Sequence, residues 1–317
     1  MKLYKNLDEI KKIEKPSSIT IGNFDGMHIG HLELLDSTIE NRKLCDKESN
    51  VVAITFNPMP QEFFKKNGFF RIMNDREKIE IFTEKQFDYV VSLPFDEKFS
   101  LMSPEDFIEK VLIDKLNICH LTIGENFRFG HKRRGDINLL KKYSNSNFDL
   151  SVVPLIKKFS DQEGDQQIVN STLIRELIIS NDFKRANSLL RNKTSITGRV
   201  IHGEKRGRKL GYPTANINVC EFWPINGIFL VEVDINGFDQ KYGLASYGNK
   251  PTFSGRENTL EVFIFDHNQE IYGKEIKIVF LEKIRDQVKF TSEQELIEQM
   301  DNDYQKALKI LKNNDRL

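Results

Sequence analysis

Residues 18–35 read Ser-Ile-Thr-Ile-Gly-Asn-Phe-Asp-Gly-Met-His-Ile-Gly-His-Leu-Glu-Leu-Leu. Ser18 to Ile21 form a β-rich run that predicts a strand, and the apolar spacing from Leu32 onward predicts a helix. Short β-rich runs alternate with helical patterns as far as about residue 156, which is the order expected of a parallel sheet with crossover helices. The first half of the chain is therefore predicted to be an α/β doubly wound parallel-sheet domain. The further strand candidates are residues 51–56, 88–93, 120–123 and 150–155.

The size and charge of the chain exclude several classes of protein. It has 317 residues, which at about 150 residues per domain suggests two domains. Lys plus Arg is 47 and Asp plus Glu is 47, so no strong field attracts nucleic acid or an anionic membrane. No apolar run approaches the roughly 18 residues that span a bilayer, and the charged amino end does not resemble a secretory signal. We expect a cytoplasmic protein without a nucleic-acid or membrane partner; its oligomeric state stays open.

Three cysteines, Cys45, Cys119 and Cys220, lie far apart in the chain. They show none of the paired spacings of a zinc site or a disulfide framework. We expect them to be small core or surface residues.

The second half of the chain has a different pattern of predicted secondary structure. Strand candidates bounded by turn residues follow one another too closely for crossover helices, which predicts an antiparallel barrel or sandwich. Ser292 and Glu295 predict a capping box at the start of a carboxyl-terminal helix. We place the domain boundary between residues 186 and 187, giving domains 1–186 and 187–317. The strand candidates are residues 198–201, 227–233, 243–246, 260–265 and 274–280.

Polar motifs of the first half follow the predicted strands, where ligands bind in doubly wound sheets. His28 and His31 are three residues apart at a helix start, so both imidazoles can donate to one phosphate group. Surface residues or an incidental metal site are the alternatives. The glycines at 22, 26 and 30 and the lack of a carboxylate or cysteine pattern nearby favour nucleotide phosphate over metal.

His28-Ile29-Gly30-His31 resembles the signature of the adenylyl-transferring superfamily, which includes class I aminoacyl-tRNA synthetases and small-molecule nucleotidyltransferases. A synthetase is disfavoured because the chain is short and neutral and has no Lys-Met-Ser-Lys-Ser-like loop. Four segments in order are similar to the adenylyltransferase half of bacterial bifunctional riboflavin kinase/FAD synthetases. They are residues 22–28, 55–60, 124–130 and 171–175.

This resemblance implies roles for residues of a nucleotidyltransferase domain. His28 and His31 would be catalytic and would brace the phosphates of ATP. Met59 stands where many relatives have His or Gln, so a catalytic role for position 59 is not implied. The implied ATP-binding residues are Gly22, Asn23, Phe24, Asp25, Gly26, Gly30, Ser171, Thr172 and Arg175, and the flavin-binding residues are Phe63, Phe64, Asn126, Arg128 and Phe129.

Residues 198–216 combine glycines, basic residues and the tetrapeptide Pro213-Thr214-Ala215-Asn216. A basic RNA-binding loop is one interpretation, but aromatic residues that could stack on bases are not interleaved with the basic ones. Thr214 and Asn216 alternate with Ala215, so in an extended segment both face the same way and can share Mg²⁺ and a nucleotide phosphate.

The same stretch resembles the riboflavin kinase domain, in which Pro-Thr-Ala-Asn is the defining motif and the Glu of Leu-Glu-Val-Phe is the general base. Here that base would be Glu261; a solvated strand carboxylate is the alternative. Relatives often carry Glu at the position of Gln287 and Asn-Ile at Ser246-Tyr247. The implied ATP-binding residues are Gly203, Gly207, Arg208, Gly211 and Pro213, the metal ligands are Thr214 and Asn216, and the flavin-binding residues are Arg285 and Phe290.

Together the two resemblances imply a bifunctional enzyme with an antiparallel β-barrel riboflavin kinase domain and a C-terminal helix after the nucleotidyltransferase domain. Its substrates would be riboflavin, FMN and ATP, with Mg²⁺ as the metal. Two alternatives remain: an adenylyltransferase with another acceptor, and a non-catalytic flavin-binding regulator.

Overall fold

The computed structural model describes residues 1–45, 48–65, 68–159, 166–203, 211–219, 223–235, 240–252, 255–267 and 269–313. The chain divides into two compact units, Met1–Leu173 and Ile174–Leu317. Within the described ranges, no helix has both the length and the apolar character needed to cross a membrane.

The first unit is built on a six-stranded parallel sheet with the strand order β1-β4-β3-β2-β5-β6. The predicted parallel α/β domain is confirmed. The sequence pattern missed β1, because three residues of which one is charged carry little periodicity. The strands are β1 (Lys2–Tyr4), β2 (Ser17–Ile21), β3 (Asn50–Phe56), β4 (Tyr89–Leu93), β5 (Ile118–Gly124) and β6 (Asp149–Val153), followed by an antiparallel pair, β7 (Lys157–Phe159) and β8 (Gln166–Ile168).

Helices cover this sheet on both faces. Val52 and Ile54 belong to one buried cluster, while Val51 and Ala53 of the same strand belong to another, so β3 contributes to a core on each side. A parallel sheet buried on both faces reads as a continuous apolar run, as β3 does. The helices are α1 (Ile29–Cys45), α2 (Pro60–Phe64), α3 (Asp75–Glu84), α4 (Glu97–Ser100), α5 (Pro104–Asp106), which continues as a π-helix (Phe107–Ile113), and α6 (Ile137–Asn147).

Two cysteines correct an expectation from the sequence. Cys45 and Cys119 form a disulfide, so treating both as unpaired residues was wrong. Cys45 is the last residue of α1 and Cys119 is the second residue of β5. They are 74 residues apart in the chain, and no local spacing reveals a pair that forms only because α1 lies along β5. Cys220 lies outside the described residues.

The second unit contains a closed barrel in which every strand pair is antiparallel, with the order β10-β13-β12-β11-β14-β9. Of the two architectures predicted, the barrel is the one that forms. Its strands are β9 (Ser195–Ile201), β10 (Thr214–Asn218), β11 (Gly227–Ile235), β12 (Lys241–Thr252), β13 (Gly255–Ile264) and β14 (Glu275–Arg285).

Among the described residues, three helices belong wholly or partly to the second unit. They are α7 (Ser171–Ile179), which begins in the first unit, α8 (Phe183–Leu189) and the predicted carboxyl-terminal helix α9 (Glu293–Asn313). Phe183 of α8 contacts the rings of Phe229 and Phe280, with centroids 5.7 Å and 5.3 Å away, and the Asn187 side chain donates to the Phe280 carbonyl. The predicted domain boundary falls within α8, and the buried face of α8 packs on barrel residues.

Tyr247 shows how the barrel accommodates a large side chain with a polar end in its core. Its side chain is fully buried, and its hydroxyl accepts a hydrogen bond of 2.9 Å from the backbone N–H of Trp223. A buried tyrosine needs a partner for its hydroxyl, and here the segment before β11 supplies it.

Candidate functional site

The first unit has a cavity of about 330 Å³ at the carboxyl edge of its sheet. The loop after β2, the end of β5 and the end of β6 contribute to its wall, because parallel strands direct their carboxyl ends to the same edge. Seven of the residues predicted from the sequence line it together: Gly22, His28, Gly30, His31, Asn126, Ser171 and Thr172.

The two histidines form a stacked pair at the start of α1. Their ring centroids are 3.6 Å apart with an interplanar angle of 19°. The backbone N–H of His31 donates to His28 Nδ1 at 3.3 Å, so in the neutral ring of His28 the proton resides on Nε2. Gly30 permits this contact, since a Cβ at position 30 would lie 3.2 Å from His28 Nδ1.

Both imidazoles are neutral at physiological pH. Burial lowers the pKa of His28 to about 4. Burial also lowers the pKa of His31 well below 6.5, and electrostatic interactions with His28 and Lys78 lower this pKa further. The pair therefore offers hydrogen-bond donors rather than positive charges.

Two residues between Gly22 and His28 fix the conformation of the loop through buried contacts. Phe24 is fully buried, and its ring meets His31 edge-on at 5.4 Å. The Asp25 carboxylate is also buried and accepts hydrogen bonds from the backbone N–H groups of Ile72 (3.0 Å) and Met73 (3.2 Å). Asp25 thus fastens the glycine loop to the segment before α3.

The remaining predicted residues of this half lie outside the cavity lining. They are Asn23, Phe24, Asp25, Gly26, Phe63, Phe64, Arg128, Phe129 and Arg175. Arg175 is half-buried on α7, one turn beyond Ser171 and Thr172. Phe63 and Phe64 belong to an aromatic cluster with Phe95, in which Phe64 is 67% exposed.

The sequence analysis did not predict a network of charged side chains that lies beside this loop. Arg71 donates to Glu62 (2.7 Å) and to Asp75 (2.8 Å), and Lys78 lies 3.2 Å from the other oxygen of Asp75. The side chain of Lys78 is only 2% exposed. The signal was present, because Lys78 lies three and four residues before the buried Ile81 and Phe82 and so occupies the apolar face of α3.

In the barrel, strand pairing places Asn216, Glu261 and Ser246 side by side in a row across three strands. Asn216 of β10 pairs with Glu261 of β13, and Glu261 pairs with Ser246 of β12. Directly paired residues share a face of the sheet. Glu261 is half-buried, whereas its neighbours Leu260 and Val262 are buried on the opposite face.

The predicted metal ligands lie on that same face. Thr214 is two residues before Asn216 and pairs with Phe263, two residues after Glu261. Gly203 approaches this row so closely that a Cβ there would overlap Asn216 Nδ2. Pro213 and Thr214 also line a cavity of about 200 Å³ with Tyr272. No atom of the described residues lies within 4 Å of the position that a Cβ of Gly211 would take, and Gly207 and Arg208 lie outside the described residues.

The segment after β14 contacts the row of Asn216, Glu261 and Ser246 at Ser246. Arg285 is held by the buried Asp303 of α9 at 2.8 Å, and its guanidinium lies 5.8 Å from the ring centre of Phe290. The Gln287 amide donates to the Ser246 hydroxyl at 3.1 Å. Gln287 and Ser246, two positions noted in the sequence analysis, are therefore in contact.

The donor set favours a hard cation shared with phosphate. Within the described residues, no group of three or more His, Cys, Asp or Glu side chains could hold a metal ion. The Thr214 hydroxyl and the Asn216 amide provide neutral oxygens, and Mg²⁺ binds oxygen ligands while it retains waters and substrate phosphates. These residues fit Mg²⁺ better than a transition metal.

Two family models match the chain, one in each half. A model described as FAD synthetase matches residues 10–172, and one described as riboflavin kinase matches residues 190–311. The barrel and the cavity thus lie in separately matched segments.

Relatives are similar over nearly the whole length. The bifunctional riboflavin kinase/FMN adenylyltransferase of Buchnera aphidicola subsp. Schizaphis graminum is 38% identical over 312 residues, which cover 96% of each chain. That of Haemophilus influenzae is 35% identical and covers 97% of this chain and 98% of its own. A solved structure described as a macrolide-efflux protein from Streptococcus pneumoniae is 29% identical, with a TM-score of 0.82 and coverage of 96% and 97%.

We predict that His28 in the folded chain titrates with a pKa of about 4, because burial disfavours the imidazolium. In the urea-unfolded chain the pKa should be about 6.5. The unfolded chain then binds a proton between these pH values that the folded chain does not, so His28 lowers the free energy of unfolding as the pH falls from about 6.5. Long-range ¹H–¹⁵N NMR across pH measures both titrations; an ordinary midpoint in the folded chain would contradict the buried neutral ring.

Proposed function

The chain belongs to the bifunctional riboflavin kinase/FMN adenylyltransferase family, and from this membership we propose how its residues divide the two reactions. It phosphorylates riboflavin with ATP to give FMN and ADP, and it adenylylates FMN with a second ATP to give FAD and pyrophosphate. The assignment of a residue to either reaction, the domain limits 1–186 and 187–317, and a cytoplasmic location, where ATP is available, are our proposals.

Adenylyl transfer takes place in the cavity at the edge of the parallel sheet. A phosphate oxygen of FMN attacks the α phosphorus of ATP, and pyrophosphate leaves. His28 and His31 donate hydrogen bonds to the phosphate oxygens on which charge develops. The stacked, neutral pair, with a donor on Nε2 of His28, is the single observation that carries this proposal.

The other residues of this half have supporting roles. Gly22 and Gly30 let the backbone approach the phosphates, Ser171 and Thr172 line the same cavity, and Arg175 adds positive charge from α7. The conformation of the loop is maintained by the residues between Gly22 and His28, namely Asn23, Phe24, Asp25 and Gly26. The flavin of FMN is bound by Phe63, Phe64, Asn126, Arg128 and Phe129, because exposed aromatic rings such as Phe64 can stack on its ring system.

Riboflavin phosphorylation takes place on the outer face of the barrel. Glu261 accepts the proton of the ribityl 5′-hydroxyl as that oxygen attacks the γ phosphorus of ATP. Thr214 and Asn216 lie beside Glu261 and would hold Mg²⁺, which when bound offsets the charge of the phosphates. Gly203, Gly207, Arg208, Gly211 and Pro213 bind ATP, and Arg285 and Phe290 bind the flavin. Neither reaction requires a protein nucleophile.

The change His31→Ala should abolish most FAD synthesis and leave FMN synthesis unchanged. Removal of one donor to a developing oxyanion typically costs about 10²-fold or more in rate. His131→Ala is the matched control, because His131 belongs to the same unit but contacts the Ser100 carbonyl outside the cavity. HPLC of FMN and FAD measures both activities. Equal loss of both in a folded variant would indicate one shared ATP site.

The change Glu261→Gln tests proton transfer more than packing, since Gln is nearly isosteric but cannot act as a base at neutral pH. General-base assistance is typically worth about 10² to 10⁴-fold, and riboflavin phosphorylation should fall on that scale. FMN supplied directly should still become FAD. Glu282→Gln, an exposed position on β14, is the control. Phosphorylation at the parental rate would show that Glu261 is only a solvated strand residue.

A further inference from the structure

Gln61 lines the cavity at the edge of the parallel sheet, and neither reaction has yet been given a role for it. It is the second residue of α2 and shares the cavity wall with His28, His31 and Asn126. It is exposed, and its side-chain amide makes no hydrogen bond to any residue that the structure describes. The amide is therefore available to a ligand in the cavity.

The order of the strands places Gln61 beside the histidines. The histidine loop follows β2, and Gln61 follows β3, which is paired with β2 in the parallel sheet. Because parallel strands end at the same edge, the two loops meet there. Asn126 reaches the cavity from β5, the other neighbour of β2. Gln61 and Asn126 thus flank the histidine pair.

The charged network of Arg71 fixes the position of α2. Arg71 donates to Glu62, the neighbour of Gln61, at 2.7 Å and to Asp75 at 2.8 Å. It also donates to the side-chain oxygen of Asn57, which directly follows β3, at 2.9 Å. These side chains lie outside the cavity lining. The helix that carries Gln61 is therefore held to the end of β3 without using groups that face the cavity.

The cavity lining carries no formal charge at neutral pH. Among the described residues that line it, none is a lysine, an arginine, an aspartate or a glutamate, and both histidines are neutral. Direct contacts with a phosphate in the cavity therefore come from neutral donors, and a glutamine amide provides two N–H groups. Such a donor can orient a phosphate oxygen without cancelling the negative charge on which its attack depends.

The position of Phe64 indicates which phosphate Gln61 contacts. Residues three apart lie on one face of a helix, so Gln61 and Phe64 share a face of α2. Phe64 is 67% exposed, and its ring contacts those of Phe63 and Phe95. A flavin stacked on this exposed ring has its ribityl phosphate on the side of the cavity that Gln61 lines. This arrangement favours the phosphate of FMN over the phosphates of ATP.

We propose that Gln61 binds the phosphate of FMN in the adenylyl-transfer site: its side-chain amide donates to a phosphate oxygen and holds the attacking oxygen toward the α phosphorus of ATP. This inference rests on the proposed function of the cavity. The bonds that form and break are those of adenylyl transfer, in which the FMN oxygen joins the α phosphorus and pyrophosphate leaves. Gln61 itself exchanges no proton.

The test compares Gln61→Met with Gln61→Glu in the full chain. Met keeps an unbranched side chain of similar length but has no donor, whereas Glu keeps the shape and places a negative charge against the phosphate. HPLC measures FAD formed from supplied FMN and ATP, with the concentration of each substrate varied in turn.

The two variants should differ in degree and should affect one substrate only. Loss of a hydrogen bond to a charged group should raise KM for FMN by about 10-fold in Gln61→Met. In Gln61→Glu, repulsion between like charges should lower kcat/KM for FMN by about 100-fold or more. KM for ATP and the rate of riboflavin phosphorylation should not change in either variant.

Asn145→Asp is the matched control. Asn145 is exposed on α6 in the same unit and lies outside the cavity lining, so this change adds the same charge away from the proposed contact. It should leave KM for FMN and KM for ATP at their parental values. Thermal unfolding shows whether each variant is folded.

A parental KM for FMN in folded Gln61→Met and Gln61→Glu would overturn the inference. So would a rise confined to KM for ATP, which would place Gln61 on the ATP phosphates, or equal losses in the two variants, which would indicate a structural role only. If Gln61→Met does not fold, kcat/KM for FMN in Gln61→Glu decides the question. Failure of the proposed function of the cavity is separable, because His31→Ala would then retain FAD synthesis.

Discussion

Both halves of the molecule obey one constraint: a polar group taken out of water must find a partner, so a buried sheet face has room for few of them. In the parallel sheet both faces of β3 are covered, and the side chains proposed for adenylyl transfer lie where the strands end. In the barrel one face of β13 is buried through Leu260 and Val262, so Glu261 occupies the other face. The proposed adenylyl-transfer site therefore lies where strands end, and the proposed kinase site lies on the exposed face of a strand. Both positions have the same physical reason.

This constraint also determines the chemistry of the adenylyl-transfer site. Residues close enough to enclose phosphate are themselves largely removed from water, and a buried imidazole loses its charge more easily than it keeps it. On the proposed assignment, the site works through oriented N–H donors of His28 and His31 rather than through charged imidazoles. The site proposed on the barrel has a half-buried carboxylate, Glu261, beside two neutral oxygen donors.

The sequence predicted what depends on local spacing. The alternation of strands and helices, five of the six barrel strands and the terminal helix followed from periodicity and turn residues, whereas β10 (Thr214–Asn218) was not among the predicted strands. The motif around His28 lies at the sheet edge that its position after β2 predicted. The sequence did not predict the disulfide between Cys45 and Cys119 or the contact between Gln287 and Ser246, because these pairs arise only when distant segments are packed together. The role of Asp25 was also hidden: a motif residue can serve by binding backbone N–H groups of residues 72 and 73.

The central claim is that two separate sites carry out the two reactions. It is tested most directly with a fragment of residues 182–317, which begins at Asp182, the N-cap of α8, and so keeps the Phe183 contact with the barrel. The fragment is incubated with riboflavin, ATP and Mg²⁺, and FMN and FAD are measured by HPLC beside the full chain. The account predicts that the fragment forms FMN and no FAD, while the full chain forms both. FAD from the fragment, or a folded fragment that forms no FMN, would contradict the account.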